Sequence, residues 1–304
     1  MTVNRPAAPA RAPALDRLGL FNLAVVYVVW GSTYLAIRIA VRPEGGFAPF
    51  HLALMRVAAA SVVLFIWAVL RRHRLRPTWK ELVVLAGTGQ LMWVGGNGLV
   101  TWAEQYADSG LAALLVAVMP IWAALCEAVV DRRLPSFKMV ASLLIGFVGV
   151  GVLSWPVVRA GDASALWAIV ALMIAPFTWA IASVWVARRR PDLSIQAISG
   201  WQHLCGGVGF VVVILLLGES WSTPTSEAWW AWGYLTLFGS VIAFTAFVAA
   251  LRVLPTPVVM TYAFANPVIA VFLGWLVIAE PVTGWTAAGA VLVMAGIAGV
   301  FKNR

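Results

Sequence analysis

Polar groups set inside otherwise apolar runs carry whatever chemistry this chain performs. In YAFANP, Tyr262 and Asn266 stand four residues apart on one helix face, and Pro267 removes a backbone hydrogen bond and frees the carbonyl one turn earlier. In LMWVGGNGLVTWAEQY, Trp93, Asn97, Thr101 and Glu104 follow a three- and four-residue spacing down another face. Gly95, Gly96 and Gly98 beside Asn97 leave room for close backbone approach or for a local break that presents carbonyls to a ligand. Arg56 lies about two turns into PFHLALMRVAAASVV, where an unpaired guanidinium would cost roughly 2.5–3.5 kcal/mol. Gln202 and His203 interrupt SGWQHLCGGVGF, and Thr33 and Tyr34, with Trp30 one turn earlier, share a face of the first apolar run. These residue types bind rather than make or break bonds. Amides, a guanidinium and freed carbonyls suit a polar head group, and indole or phenol faces suit an apolar side chain or an ammonium.

Catalysis has no comparable signal. His51, His73 and His203 occupy separate segments, with neither a Ser–His pair nor metal-ligand spacing beside them. The chain is therefore read as no enzyme, with no cofactor and no metal. Cys126 and Cys205 fall inside apolar spans as packing residues. For the polar residues two readings stand side by side. Asn266 and Pro267 form either a pathway element or a structural kink held by a neighbouring helix; Arg56 either grips a carboxylate or sits in a buried ion pair. Trp30, Trp93 and Trp179 either stack on a ligand or pack on neighbours. His203 is either a titrating group or a core histidine.

The elements that position these groups follow from composition. With 62% hydrophobic and 11% charged residues and a mean hydropathy of +0.91, the chain is too apolar for a wet surface. A span needs roughly 20 apolar residues, and ten runs qualify: about 18–41, 48–70, 81–102, 108–130, 137–156, 164–186, 194–217, 228–250, 256–279 and 282–302. The short alternating segments of a β-barrel are lacking. An all-α integral membrane protein is expected, with connecting loops too short for a soluble domain. Its net charge of +9 does not indicate a nucleic-acid partner. All Lys and Arg except Arg38, Arg42, Arg56 and Arg159 fall at one set of alternate loops and at the termini, which places both termini in the cytoplasm. The partners expected are a small-molecule substrate and membrane lipid, with oligomeric state open. Residues 1–17, rich in Pro and Ala, read as a disordered cytosolic tail.

The spans repeat. AEQYADSGLAALLVAVMPIWAALCEAVVDRRLP and ALRVLPTPVVMTYAFANPVIAVFLGWLVIAEP each place one proline, Pro120 and Pro267, near the middle of an apolar run. Superposing those prolines also places Ala103 on Ala250, Ser109 on Thr256 and Ala123 on Ala270. Thr178 and Trp179 likewise stand opposite Thr33 and Tyr34, and Gln202 opposite Arg56. Five spans per copy is an odd number, so the second copy enters the membrane from the other side. Inverted repeats of this kind let two similar halves exchange roles in alternating access. The halves are 18–156 and 164–302, with a central cavity between them near Pro120 and Pro267. Met119 and Tyr262 would give that cavity one soft apolar wall and one polar wall.

The segments VVWGSTYLAIRIAV, TWAEQYADSGLAALLVAVMPIW and GSVIAFTAFVAALRVLPTPVVMTYAFANPVIAVFLGWLVIAEPVTGWTAAGAVLVMAGIAGV resemble the EamA-type members of the drug/metabolite transporter superfamily, over about residues 18–302. The motifs are most similar to the YedA-like branch. The resemblance implies a ten-helix inverted-repeat carrier of the bacterial inner membrane, exporting amino acids or other small metabolites, with its cavity enclosed by helices one, three, four, six, eight and nine. Met119 departs from the aromatic expected there in a specialised aromatic exporter. Broad amino acid export is the leading expectation. The alternatives are efflux of drugs or other metabolites coupled to protons, and more distantly a membrane-embedded enzyme or scaffold. Glu104 and Asp108 are placed at the outer mouth, and with no carboxylate at the midplane facilitated diffusion is expected over proton antiport.

Overall fold

The computed structural model describes residues 16–132 and 136–302. The expected tail at 1–17 lies almost wholly outside the described residues. Every regular element among the described residues is helical, and the helices group into ten rods: α1 (Arg17–Val41), α2 (Pro49–Leu70), α3 (Trp79–Gly89, Gln90–Gly98 and Leu99–Ala103), α4 (Ser109–Val116 and Met119–Val130) and α5 (Phe137–Ala160), then α6 (Ala163–Arg189), α7 (Ile195–Leu217), α8 (Ser226–Tyr234, Leu235–Ala243 and Phe244–Val253), α9 (Thr256–Val259 and Tyr262–Ile278) and α10 (Gly284–Lys302). Seven are long and apolar enough to cross a membrane by length and composition, and α9 and α10 hold shorter apolar helices. Polar caps set where several of them start. Asp16, Thr78, Ser136, Asp162, Ser194 and Thr225 each accept a backbone N–H of the first turn, and Thr78 with Glu81 forms a reciprocal capping box.

The two halves share their irregularities. The middle of α3 widens into a π-helical turn at Gln90–Gly98, and the middle of α8 does the same at Leu235–Ala243, at the offset that relates Thr33 to Thr178. Both α4 and α9 are interrupted by a turn, before Met119 and before Tyr262. The glycines of α3 therefore lie within a continuous helix and do not break it. A Cβ at Gly96 would lie 2.8 Å from Trp179 Cε3, and one at Gly98 would lie 2.6 Å from Phe210 Cε1, so these positions admit close approach of α6 and α7.

Packing between the halves is reciprocal. α1 lies against α8 and α9, and α6 lies against α3 and α4. Flanking them, α2 packs on α7 and α5 on α10. The α5–α10 contact brings backbones together: a Cβ on Gly296 would lie 2.5 Å from Gly146 N, and one on Gly149 would lie 2.6 Å from Val293 N. Small residues thus let α5 and α10 pack closely on each other within one chain. The α2–α7 pair is fastened at one end by Glu219, which accepts from Phe50 N (3.2 Å), His51 N (2.9 Å) and the His51 ring (2.8 Å).

Candidate functional site

A cavity of about 70 Å³ lies where α1, α3, α4, α6 and α9 converge, with α2 contributing one side chain. Its wall holds Trp30, Thr33, Tyr34 and Ile37 from α1, Arg56 from α2, and Trp93, Gly96, Asn97 and Val100 from α3. Val116 and Met119 come from α4, Ala175 and Trp179 from α6, and Tyr262 and Asn266 from α9. The helix set expected from the family resemblance needs one correction. α8 supplies no wall residue; it stands behind, where the Gly239 carbonyl accepts from Trp30 Nε1 (3.1 Å) and Ser240 Oγ accepts from Arg56 Nε (2.6 Å).

The apolar wall is a cluster of rings meeting edge to face. Trp30 lies 5.4 Å from Trp179 at 88° and 5.2 Å from Tyr262 at 79°, with Phe247 behind it at 5.0 Å. Tyr262 donates its hydroxyl to Met119 Sδ (2.7 Å), so the turns in α4 and α9 are joined across the cavity. The polar wall centres on Arg56, which is 3% exposed. Its Nη1 donates to Asn97 Oδ1 (3.2 Å) and its guanidinium carbon stands 5.3 Å from the Trp93 ring centre. None of the ion pairs among the described residues involves Arg56. Two further wall donors, the indole N–H groups of Trp93 and Trp179, are buried without a hydrogen-bond partner among the described residues. No carboxylate lines the cavity. The wall is thus rich in donors and poor in acceptors, with a fixed positive charge at one side and rings at the other.

Not every sequence candidate reaches this wall. Gln202 is fully buried between α7 and α3, donating to Thr88 Oγ1 (2.9 Å). His203 is buried behind Trp93, its ring 4.3 Å from that indole, with Nδ1 2.7 Å from the Ser199 carbonyl. A polar side chain in an apolar run must avoid lipid, and a helix–helix interface satisfies that demand as well as a cavity does. Thr178 turns its hydroxyl to the Ala175 carbonyl and sits beside Gly95. Pro120 lies buried next to Met119, outside the lining set. Pro267 faces the other way, onto an apolar lateral groove with Leu114, Val271 and Trp275. Asn266, with its amide turned to donate, reaches Tyr27 O (3.2 Å) and Tyr262 O (3.1 Å), so it ties α9 to α1 while lining the cavity. Glu104 also differs from expectation: it is fully buried, not at an open mouth. The wall residues without a sequence signal are Ile37, Val100, Val116 and Ala175, whose apolar side chains look like any others in a span.

Ten apolar helices in two halves that pack reciprocally around a cavity, with no soluble domain among the described residues, define a membrane carrier architecture. The chain belongs to the EamA-like transporter family, whose description matches it twice, over residues 17–155 and 166–302. It is 33% identical to the inner membrane transporter YedA of Escherichia coli strain K12 over 260 residues, covering 84% of this chain and 82% of that one. It is 23% identical to a probable terminal-alkyne amino-acid exporter of Streptantibioticus cattleyicolor over 278 residues, 91% of each chain. A solved crystal structure shares the fold with a TM-score of 0.67 at 20% identity, covering 94% of this chain and 97% of that one.

Proposed function

We propose that the protein is a multi-pass carrier of the bacterial inner membrane, with both termini cytoplasmic, that exports small metabolites bearing a carboxylate and an apolar side chain. Amino acids of broad type, aromatic ones included, are the substrate class. The observation that carries this reading is Arg56: a cation buried in the cavity wall with no ion-pair partner among the described residues, beside two indole donors likewise unpartnered there. A buried guanidinium gains most from a charge-assisted bond to a carboxylate. The opposite aromatic wall of Trp30, Trp179, Tyr262 and Met119 accepts a side chain of either kind without reading its detail. The family supports a transporter, the name of the E. coli relative supports the inner membrane, and the exporter from Streptantibioticus, though distant, supports amino acids. Efflux of drug-like cations fits less well, since the wall offers them no carboxylate.

The test is uptake of labelled phenylalanine, threonine, lysine and glutamate into liposomes containing the purified protein, beside phenethylamine, which lacks the carboxylate. Flux of several amino acids but not of the amine, lost in Arg56→Gln and reduced in Asn266→Ala, is the expected outcome. Equal or faster passage of the amine, indifferent to Arg56→Gln, would sink the carboxylate reading and favour cation efflux.

A further inference from the structure

Glu104 is the first residue beyond α3, one turn past the cavity residue Val100, and it is fully buried. Neither of its side-chain oxygens has a hydrogen-bond partner among the described residues. Arg38 approaches from α1, yet spends Nη1 on the backbone carbonyls of Glu104 and Gln105 and makes no ion pair with the carboxyl among the described residues. Glu280, at the end of α9, faces Glu104 as a like group and is itself satisfied by Ser109 N (2.8 Å), Ser109 Oγ (2.7 Å) and Gly110 N (3.2 Å) at the start of α4. Asp108, the N-cap residue of α4, lies within electrostatic reach of Glu280 and Arg38. Tyr34 and Arg56, both in the cavity wall, complete the surroundings and lie within electrostatic reach of Glu104. An ionised carboxyl enclosed in this way would lose its hydration with no donor to replace it. Enclosure therefore pushes the group toward the neutral acid, against the opposing field of Arg56.

Resting on the carboxylate reading of the cavity, we propose that Glu104 is the proton site of the transport cycle, and that it binds a proton together with the substrate. Arg56 is the shared element. With the cavity empty of anion, the field of Arg56 stabilises an ionised Glu104. A substrate carboxylate on Arg56 takes over that field and adds a second negative charge nearby, so Glu104 takes up a proton as substrate binds. By linkage the proton must equally tighten substrate binding. Substrate and proton then cross in the same direction. Substrate leaving down its own gradient takes a proton with it, and an acidic exterior slows that exit.

The test uses the intact protein in detergent and in liposomes, with phenylalanine as probe. Its apparent affinity is expected to rise as pH falls, by up to about tenfold per pH unit across the range where Glu104 titrates, and binding is expected to take up about one proton per site. In Glu104→Gln, which mimics the neutral acid, affinity stays at its acid-side value at every pH and proton uptake vanishes. Infrared difference spectroscopy of the unmutated protein gives a second reading that needs no variant to fold: a protonated carboxyl signal rises on phenylalanine binding. Phenylalanine bound with no pH dependence and no new carboxyl signal overturns the proton site and leaves the carboxylate reading standing. The same pH dependence in Glu104→Gln as in the unmutated protein does likewise. Failure of every amino acid to bind at any pH overturns both.

Discussion

At the scale of single residues, the cavity depends on how closely α3 approaches α6. Gly96 permits that approach, because any Cβ there would lie 2.8 Å from Trp179 Cε3 and the indole would have to move. Trp179 in turn meets Trp30 edge to face, so its displacement propagates through the ring cluster. Gly96→Ala is expected to weaken substrate binding about tenfold, which corresponds to roughly 1.4 kcal/mol. Gly151→Ala, where nothing lies within 4 Å of the added carbon, is expected to leave it unchanged. A binding titration of both variants decides the point, and equal affinities would show that the indole is not part of the binding surface. Much of this wall was visible as polarity out of place: Arg56, Asn97 and Asn266 interrupt apolar runs and line the cavity. Gln202 and His203 gave the same signal for another reason, because burial at a helix interface also removes a polar side chain from lipid, Gln202 bonding across to Thr88 and His203 back to its own helix at Ser199. Ile37, Val100, Val116 and Ala175 gave none, since periodicity shows that a helix has an inner face but not which part of that face borders a void.

At the scale of elements, the start of α4 is held by a side chain from the far half of the chain. Glu280 accepts from three donors on Ser109 and Gly110, satisfying N–H groups that a helix start leaves unpaired. Glu280→Ala should cost about 1–3 kcal/mol, as for a charge-assisted cap, read as a lower unfolding temperature in detergent; an unchanged temperature would mean that water replaces the cap at no penalty. The α5–α10 contact predicts a second loss. Gly296→Val forces apart backbones that touch at Gly146, and overpacking of this kind costs about 1–3 kcal/mol. Because neither helix contributes to the cavity wall, the surviving folded protein should transport at the normal rate. Impaired flux from fully folded protein would place α5 and α10 in the transport cycle. The ten helices themselves were legible from run length. The π-helical turn of α8 was not legible: Leu235–Ala243 reads as an ordinary apolar segment, and its widening shows only when set beside the glycine-rich turn of α3.

At the scale of the whole molecule, the reciprocal packing separates helices that can open the cavity from helices that brace it. α1 and α9 meet at Tyr27 and Thr261, whose hydroxyls are 2.5 Å apart beside the turn that precedes Tyr262. Any route from the cavity between these wall helices must part that contact. α2 and α7 are tied along their length instead, by Ser61 Oγ to the Gly200 carbonyl (3.1 Å) and by Glu219 to His51, and α2 supplies only Arg56 to the wall. In a variant with Cys126 and Cys205 replaced, cysteines at Tyr27 and Thr261 bridged by a short bifunctional reagent should stop flux, and reversing the bridge should restore it. The same bridge between cysteines at Ser61 and Gly200 should leave most of the flux, because a brace moves as one body. Equal inhibition by the two bridges would show that the flanking pair also deforms during transport, and alternating access would then have to involve all four α1, α2, α7 and α9 helices rather than a swing of the wall against a fixed frame.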